Sequence, residues 1–228
     1  RTPDGYAVGV HIADVSHYVR PGTAVNAEAV ARATSIYVAD QVIPMLPEGL
    51  SNHLCSLNPD RPRLAFSVLM EFDRRGQRTG YAITKSVIQS MRRCTYKNVQ
   101  KVLDGVDDDD TRRLADLKPD LELFREWTQI VQANRDKRGS MRLQSGERKF
   151  RFDAVGEVTG VYQAANYFSQ ALIEETALAA NQAAGDYFKT MGMPTIYRIH
   201  PEKDPAEIEK VVEMLGKYGI RVPKKDRL

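Results

Sequence analysis

The segment from His11 to Tyr18 gathers several side chains that can do chemistry. Within eight residues it holds two imidazoles, a carboxylate, a hydroxyl and a phenol: His11, Asp14, Ser16, His17 and Tyr18. Histidine and aspartate are competent metal ligands, so one interpretation is a metal site. The alternative is a strand that leaves its sheet, with Asp14 and Ser16 satisfying loop amides. The spacing matches no established ligand signature and therefore favours the alternative.

Four consecutive aspartates, Asp107–Asp110, are a second candidate for cation binding. Magnesium is a hard cation that prefers oxygen ligands. Adjacent carboxylates in an exposed loop rarely converge on one ion, and such a run is typical of a solvated linker. The linker interpretation is therefore favoured, and we assign no metal ligand within this sequence.

The stretch from Arg135 to Arg151 concentrates positive charge. Seven basic and two acidic residues give it a net charge of +5, whereas the whole chain carries +3. Lys149 and Arg151 alternate with Phe150 and Phe152, so a strand would place cations on one face and aromatic rings on the other. Cations neutralise phosphates, and aromatic rings stack on unpaired bases. A core-facing pair of phenylalanines with a solvated charged face fits the pattern equally well.

A long helix predicted over Phe168–Phe188 carries two kinds of face. One face is apolar and rich in small residues, which indicates close packing against another element; it consists of Ile173, Ala177, Ala180 and Ala184, widened by Leu172, Ala179 and Ala183. Another stripe is polar and contains Gln170, Glu174 and Asn181, roughly four and seven residues apart. Such a stripe is usually solvated, although it can also line a ligand channel.

The elements that must position these residues mix helices and strands without a regular βαβ repeat. This mixture predicts the α+β class, with a mixed sheet packed against long helices. The predicted strands are Tyr6–Asp14, Ser35–Val38, Leu64–Phe72, Tyr81–Met91, Met141–Phe152, Val158–Gln163 and Thr195–His200. The predicted helices are one capped by Asn26, then Tyr96–Leu103, Pro119–Arg138, Phe168–Phe188 and Pro205–Gly219. An irregular loop is predicted over Ile43–Asn58 and a hairpin turn at residues 73–76.

The composition is that of an ordinary globular protein: 228 residues, 42% hydrophobic and 28% charged. No run of about 18 apolar residues occurs, which excludes a membrane-spanning helix, and we expect no membrane partner. Two cysteines, Cys55 and Cys94, do not make a disulfide framework in a chain of this length. We therefore expect reduced, core-packed thiols in a cytoplasmic protein. From the residues alone, the sequence predicts a cytoplasmic α+β domain that is a candidate for nucleic-acid binding.

Several longer motifs follow one another in a distinctive order. The first cluster lies between His11 and Pro59 and comprises HIADVSHYV, TSIYV, VIPMLP, LSN and LCSLNP. Later motifs are LIEE and AN between Leu172 and Asn181, and then YRIH ending at His200. In order and spacing these motifs resemble the catalytic RNB domain of the ribonuclease II and ribonuclease R family. The resemblance extends from about Tyr6 to the C-terminus and implies an RNB-type fold.

The resemblance implies a magnesium-dependent enzyme that degrades single-stranded RNA from the 3′ end, by hydrolysis, to nucleoside 5′-monophosphates. It implies that Tyr37 stacks on the 3′-terminal base and that Tyr96 and Glu174 contact the ribose near the scissile bond. Hydroxyl and carboxylate groups can hydrogen-bond a 2′-hydroxyl, which distinguishes RNA from DNA. The polar helix stripe and the basic stretch then face the RNA. We therefore expect a catalytic role for Glu174 and RNA-binding roles for Tyr37, Tyr96, Arg142, Lys149 and Asn181.

The sequence also departs from the family pattern. The magnesium-binding aspartates of the family form a motif ending in Asp-x-Asp-Asp just before the strand that begins here at Tyr6, and Asp4 alone does not replace it. Leu143 occupies a position where the family often has a stacking aromatic residue. We therefore expect residues 1–228 to be part of the catalytic domain of a monomeric exoribonuclease, incomplete at both ends, with its Mg²⁺ ligands mostly outside this chain. The alternative is a non-catalytic RNB-like protein with an RNA-binding or regulatory role.

Overall fold

A computed structural model describes residues 1–38, 41–141, 146–199 and 201–222. Helices and strand pairs follow one another without a regular repeat, which confirms the predicted α+β class. The strands are β1 (Gly5–Ala13), β2 (Ile36–Val38), β3 (Gln41–Ile43), β4 (Pro62–Asp73), β5 (Arg78–Gln89), β6 (Arg148–Phe152) and β7 (Val158–Gln163). The helices are α1 (Val15–Tyr18), α2 (Ala24–Arg32), α3 (Tyr96–Leu103), α4 (Asp109–Arg112), α5 (Lys118–Lys137), α6 (Phe168–Thr190) and α7 (Pro205–Lys217).

The largest sheet has three strands in the order β1-β4-β5. Both of its pairings are antiparallel, with Tyr6 opposite Phe72 and Val68 opposite Ile83. The ribbons β2–β3 and β6–β7 are antiparallel as well. The pairing within these named strands is therefore antiparallel rather than mixed, because three of the four pairs are hairpins whose short connections reverse the chain direction.

The β4–β5 hairpin closes at the turn that the sequence predicts. The Asp73 carboxylate accepts hydrogen bonds from the backbone N–H groups of Arg75 and Gln77, both at 2.8 Å. Gly76 has a φ of +74°, in the left-handed region. A Cβ at this position would lie 2.7 Å from Cγ2 of Ile130 on α5. Glycine is thus required both by the turn and by the helix that packs against it.

One apolar cluster joins the sheet to α5 and α6. Its buried members are Tyr6, Val68, Met70 and Phe72 from the sheet, Trp127 from α5, and Ala180 and Ala183 from α6. The Trp127 ring lies edge-on to Phe72, with 5.1 Å between the ring centroids. Both α6 contributions are alanines, so this helix approaches its neighbours closely, as its small-residue face predicts.

The buried face of α6 is rotated from the face that apolar spacing predicts. Ile173, which the prediction assigned to the packed face, is exposed, whereas the adjacent Leu172 is buried. Three polar residues, Ser169, Glu175 and Thr176, are buried on the same helix. Apolar periodicity misses them because buried polar groups that find hydrogen-bond partners also pack inside a protein.

Most predicted element boundaries agree closely with the structure, and those of α3 and β7 agree at both ends. The N-cap of α2 is Thr23 rather than Asn26: the Thr23 hydroxyl accepts a 3.2 Å hydrogen bond from the Asn26 backbone N–H. The predicted irregular loop includes a π-helical segment, Gly49–Leu54. The start of the strand predicted at Met141 belongs to a stretch that lies partly outside the described residues, and β6 begins at Arg148.

Two further predictions are wrong. Residues 195–199 form no strand, and Ile196 among them is 99% exposed; an apolar run does not become a strand without a pairing partner. His200, at the end of that predicted strand, lies outside the described residues. The free thiol of Cys94 belongs to an exposed residue and that of Cys55 to a half-buried one, so neither is fully core-packed.

The chain divides into two compact units, Arg1–Tyr187 and Phe188–Leu228. The second unit contains α7, which begins with Pro205 after an Asp204 cap. The cap carboxylate accepts a 2.9 Å hydrogen bond from the Ala206 backbone N–H. In the part of the chain that the structure describes, no helix has the length and apolar character needed to cross a bilayer.

Candidate nucleic-acid interface

The first turns of α3 and α6 are tied together at a buried serine. The Ser169 hydroxyl donates a 2.7 Å hydrogen bond to the backbone carbonyl of Tyr96, and the Ser169 N–H donates one of 3.0 Å to the Gln100 side chain. Beneath these bonds the two helices share an apolar cluster of Val99, Leu103 and Leu172. Tyr96, the first residue of α3, keeps an exposed side chain. The junction therefore holds the backbone of Tyr96, whose side chain is exposed, beside the first turn of α6.

Glu174 follows little more than one turn after Ser169 and contacts Arg135 of α5. Nη1 of Arg135 donates hydrogen bonds to a carboxylate oxygen of Glu174 at 3.3 Å and to one of Glu175 at 2.5 Å. The Glu174 side chain is 58% exposed, whereas that of Glu175 is 3% exposed. Burial raises the pKa of the Glu175 carboxyl, and the guanidinium of Arg135 opposes that shift. Two adjacent carboxylates thus share one cation, one of them inside the protein and one at its surface.

The predicted polar stripe lies on the surface of α6. Gln170, Glu174 and Asn181 are all exposed. The Gln170 side chain accepts a 2.8 Å hydrogen bond from the Tyr167 backbone N–H, which caps the start of the helix. The stripe is therefore available to a ligand, and its contact with RNA stays a prediction.

Tyr37 lies in the middle of the short β2–β3 ribbon, opposite Val42. Its side chain is 77% exposed. Its cross-strand partner Val42, which shares the same face of the ribbon, is exposed as well, and Ile36, Val38 and Ile43 are exposed on the opposite face. An accessible phenol beside an exposed apolar neighbour is chemically suited to stacking on a base.

Lys149 lies on the β6–β7 ribbon, where its ammonium group pairs with Glu147 at 3.6 Å. The neighbouring Phe150 is exposed, and its ring centroid lies 6.4 Å from that of Phe152, so the two rings share one face of the strand as predicted. Because Phe150 is exposed, the interpretation in which both phenylalanines face the core is wrong. Two positions of the same stretch that the sequence singled out, Arg142 and Leu143, lie outside the described residues.

The segment after β1 is organised by hydrogen bonds and an ion pair. Asp14 is buried, accepts a 2.6 Å hydrogen bond from the Ser16 hydroxyl and pairs with Nζ of Lys85 at 3.0 Å. These two contacts hold the pKa of Asp14 below its ordinary value. Nδ1 of His11 lies 2.7 Å from the Ser67 hydroxyl. Asp14 and Ser16 thus bond to each other, Lys85 pairs with Asp14, and the backbone amide of His17 adds to the lowering of the Asp14 pKa.

The aspartate run organises the connection between α3 and α4. Asp108 caps α4 by accepting a 3.0 Å hydrogen bond from the Thr111 N–H, and Lys101 pairs with both Asp108 and Asp110 at 2.6 and 2.9 Å. Across the described ranges, no group of three or more His, Cys, Asp or Glu side chains could hold a metal ion. The described residues therefore supply no set of ligands that fits Mg²⁺.

Sequence reasoning missed the two residues that organise the site. Arg135 was counted in the basic stretch as a possible phosphate contact, yet it turns inward to Glu174 and Glu175. Ser169 carries no distinctive pattern of its own. One sequence signal does indicate a basic partner such as Arg135. Glu174 and Glu175 are adjacent carboxylates on a helix that packs closely, and a carboxylate that becomes buried there needs a cation nearby.

Comparison with known proteins gives a consistent result along the whole chain. Ribonuclease R of Thermotoga maritima is 39% identical over 226 residues, which cover 97% of this chain and 31% of that protein. A structure titled Mycoplasma genitalium RNase R in complex with ribose methylated single-stranded RNA has a TM-score of 0.89 at 29% identity, covering 98% of this chain and 34% of that one. The chain thus spans about a third of the length of these relatives.

The fold extends to a more distant protein. Yeast Ssd1, described as a pseudonuclease, has a TM-score of 0.69 at 15% identity, covering 93% of this chain and 25% of that one, and this likeness concerns the fold alone. The sequence itself matches the RNB domain over residues 1–227. The match agrees with the motifs found between His11 and His200. The chain therefore belongs to the RNB domain family.

Proposed function

We propose that this chain belongs to a 3′→5′ exoribonuclease that hydrolyses single-stranded RNA to nucleoside 5′-monophosphates. The observation that carries the proposal is the junction of α3 and α6, which sets the exposed side chains of Tyr96 and Glu174 on two helices tied at their first turns. Family membership and the relatives named ribonuclease R support the reaction class.

The proposed roles follow the chemistry of each exposed side chain. Tyr37 stacks on the 3′-terminal base, because its ring is accessible on an apolar ribbon. Tyr96 and Glu174 hydrogen-bond the ribose near the scissile bond and so favour RNA over DNA. The remaining RNA-binding residues of the proposal are Asn181 of the helix stripe and the cations Lys149 and Arg142, which attract phosphates.

Magnesium dependence is part of the proposal. A bound Mg²⁺ ion would supply charge stabilisation at the phosphate and activation of water. The described residues contribute no set of ligands for it, so their proposed work is to hold the last nucleotides in place. We further propose that residues 1–228 form part of one RNB catalytic domain and that the protein acts as a cytoplasmic monomer.

The test uses the native protein that carries this sequence, MgCl₂ and a 5′-labelled RNA with an unpaired 3′ tail. We expect stepwise shortening from the 3′ end, nucleoside 5′-monophosphates as products and arrest by a chelator. A circular RNA of the same sequence offers no 3′ end and stays intact. Protein that binds the linear RNA but leaves it whole would refute the proposal and identify a non-catalytic RNA-binding member of the family.

A further inference from the structure

Arg135 occupies an unusual position for a residue of a basic stretch. It leaves α5 near its C-terminal end and contacts two successive residues of α6, Glu174 and Glu175, through the same Nη1 atom. Nη2 of the same guanidinium lies 3.4 Å from the Ser140 hydroxyl. The Arg135 side chain is itself largely buried. It is therefore placed to act inside the protein rather than on a phosphate.

Glu175 serves as the anchor of this arrangement. Its carboxylate is buried, and a buried charge is strongly unfavourable unless a partner neutralises it. The 2.5 Å contact with Arg135 supplies that partner. A guanidinium is planar and rigid, so once one edge is held by a buried carboxylate, its remaining N–H groups point in defined directions.

Glu174 is the group that this anchored cation can position. Its side chain is exposed, and a free glutamate at a surface samples many rotamers. The 3.3 Å hydrogen bond from Arg135 favours one of them. A group that recognises a substrate is most effective when its geometry is set before binding.

We infer that Arg135 is a positioning residue, anchored on Glu175, that presents the Glu174 carboxylate to the ribose and so sets the preference for RNA over DNA. This inference rests on the proposed function, in which Glu174 contacts the ribose. It assigns to Arg135 a role in specificity that its place in a basic stretch does not indicate. It also explains why two adjacent glutamates share one arginine although only one of them is accessible.

The experiment measures discrimination in the native protein that carries this sequence. Discrimination is the ratio of kcat/KM for an all-ribose RNA to that for the same RNA with one 2′-deoxy residue at the 3′ end. The variants are Glu174→Gln, Arg135→Gln, Arg135→Lys and the double variant of the two glutamine changes. Arg112→Gln is the matched control. Arg112 lies on the short helix α4 and, like Arg135, contacts two carboxylates, at 2.9 and 3.0 Å.

We expect Glu174→Gln to lower the ratio about ten-fold and Arg135→Gln to lower it about three- to ten-fold. On the Glu174→Gln background, the Arg135 change should alter the ratio less than about two-fold, because both act on one interaction. Arg135→Lys keeps the charge without the planar fork and should restore the ratio in part. Arg112→Gln should leave it unchanged. Both substrates meet the same enzyme preparation, so partial unfolding of a variant cancels from the ratio.

The outcomes separate the two ideas. If the wild-type protein degrades RNA and Glu174→Gln loses discrimination while Arg135→Gln keeps it, the positioning role is overturned and the proposed function stands. Additive effects of the two changes would also overturn it. A wild-type protein that leaves RNA intact contradicts the proposed function instead.

Discussion

The hydroxyl of Ser169 donates a 2.7 Å hydrogen bond to the backbone carbonyl of Tyr96 and so joins the start of α6 to the start of α3. The donor side chain is buried, and the carbonyl lies at the first residue of its helix. This bond fixes the distance between two helices that carry proposed RNA contacts. Removal of this hydrogen bond should therefore lower both the stability of the protein and its affinity for RNA.

Replacement of Ser169 by alanine should lower the free energy of unfolding by about 1–2 kcal/mol, because a buried hydrogen bond is lost. Urea denaturation followed by circular dichroism measures the change. Ser90→Ala is the control, since Ser90 is half-buried and has no side-chain hydrogen bond among the described residues; it should stay within about 0.5 kcal/mol of the wild type. Equal stabilities of the two variants would show that the Ser169 bond contributes nothing.

Replacement of Tyr37 by alanine should weaken binding of short single-stranded RNA by about 1–3 kcal/mol, because one base loses its stacking surface. Degradation should then stop at longer end products. Tyr37→Phe keeps the ring and should behave as the wild type. Tyr218→Ala, at another tyrosine that is 79% exposed, controls for the loss of a surface aromatic residue. End products of unchanged length would exclude the stacking role.

Replacement of Gly76 by alanine should destabilise the protein by about 1–3 kcal/mol, because the turn needs a positive φ and the added Cβ meets Ile130. Gly185→Ala offers a contrast of opposite sign. Gly185 lies within α6 with no atom within 4 Å of an added Cβ, so alanine should stabilise the helix by about 0.5–1 kcal/mol. Thermal or urea unfolding of both variants tests the pair, and a Gly76→Ala protein as stable as the wild type would contradict the expectation.

The stability contribution of Asp14 should depend on pH. Its pKa is lowered in the folded protein by the Ser16 hydrogen bond and by Lys85, so the ionised carboxylate stabilises the fold above the unfolded-state pKa of about 4. That contribution is lost as the pH falls through the folded-state pKa. The gap in stability between the wild type and Asp14→Asn should therefore be largest near neutral pH and shrink in acid.

Urea denaturation of Asp14→Asn and wild type at pH 7 and pH 3 measures this gap. Asp4→Asn controls for the loss of one negative charge, because Asp4 is exposed and makes no ion pair with any residue that the structure describes. A gap of constant size at the two pH values would contradict the assignment.

Local sequence patterns predict a helix or strand well where capping or turn residues mark both of its ends. The helix Tyr96–Leu103 begins after a capping threonine and stops before Gly105, and the prediction agrees with the structure at both ends. The strand predicted at Thr195–His200 is absent over the described residues 195–199, because strand formation depends on a partner that the sequence window does not contain.

The sequence predicts individual site residues, and their roles stay predictions; the contacts that join them follow only from the structure. The family motifs indicate Tyr37, Tyr96 and Glu174 directly. The contacts of Arg135 and Ser169 join residues far apart in the chain, and composition or spacing carries no information about such pairs. The burial of Glu175 beside the exposed Glu174 likewise follows from tertiary packing, which fixes the rotation of α6.

Trp127 offers an optical consequence of the core arrangement. It is the sole tryptophan of the 228 residues, is 1% exposed, and lies against the rings of Phe72 and Phe124. Its indole N–H is buried without a hydrogen-bond partner among the described residues. Its fluorescence emission should therefore be blue-shifted and only weakly quenched by acrylamide. The emission should also change if the packing of α5 against the sheet changes. A spectral change in this chain on addition of RNA would mean that the core itself responds to the ligand.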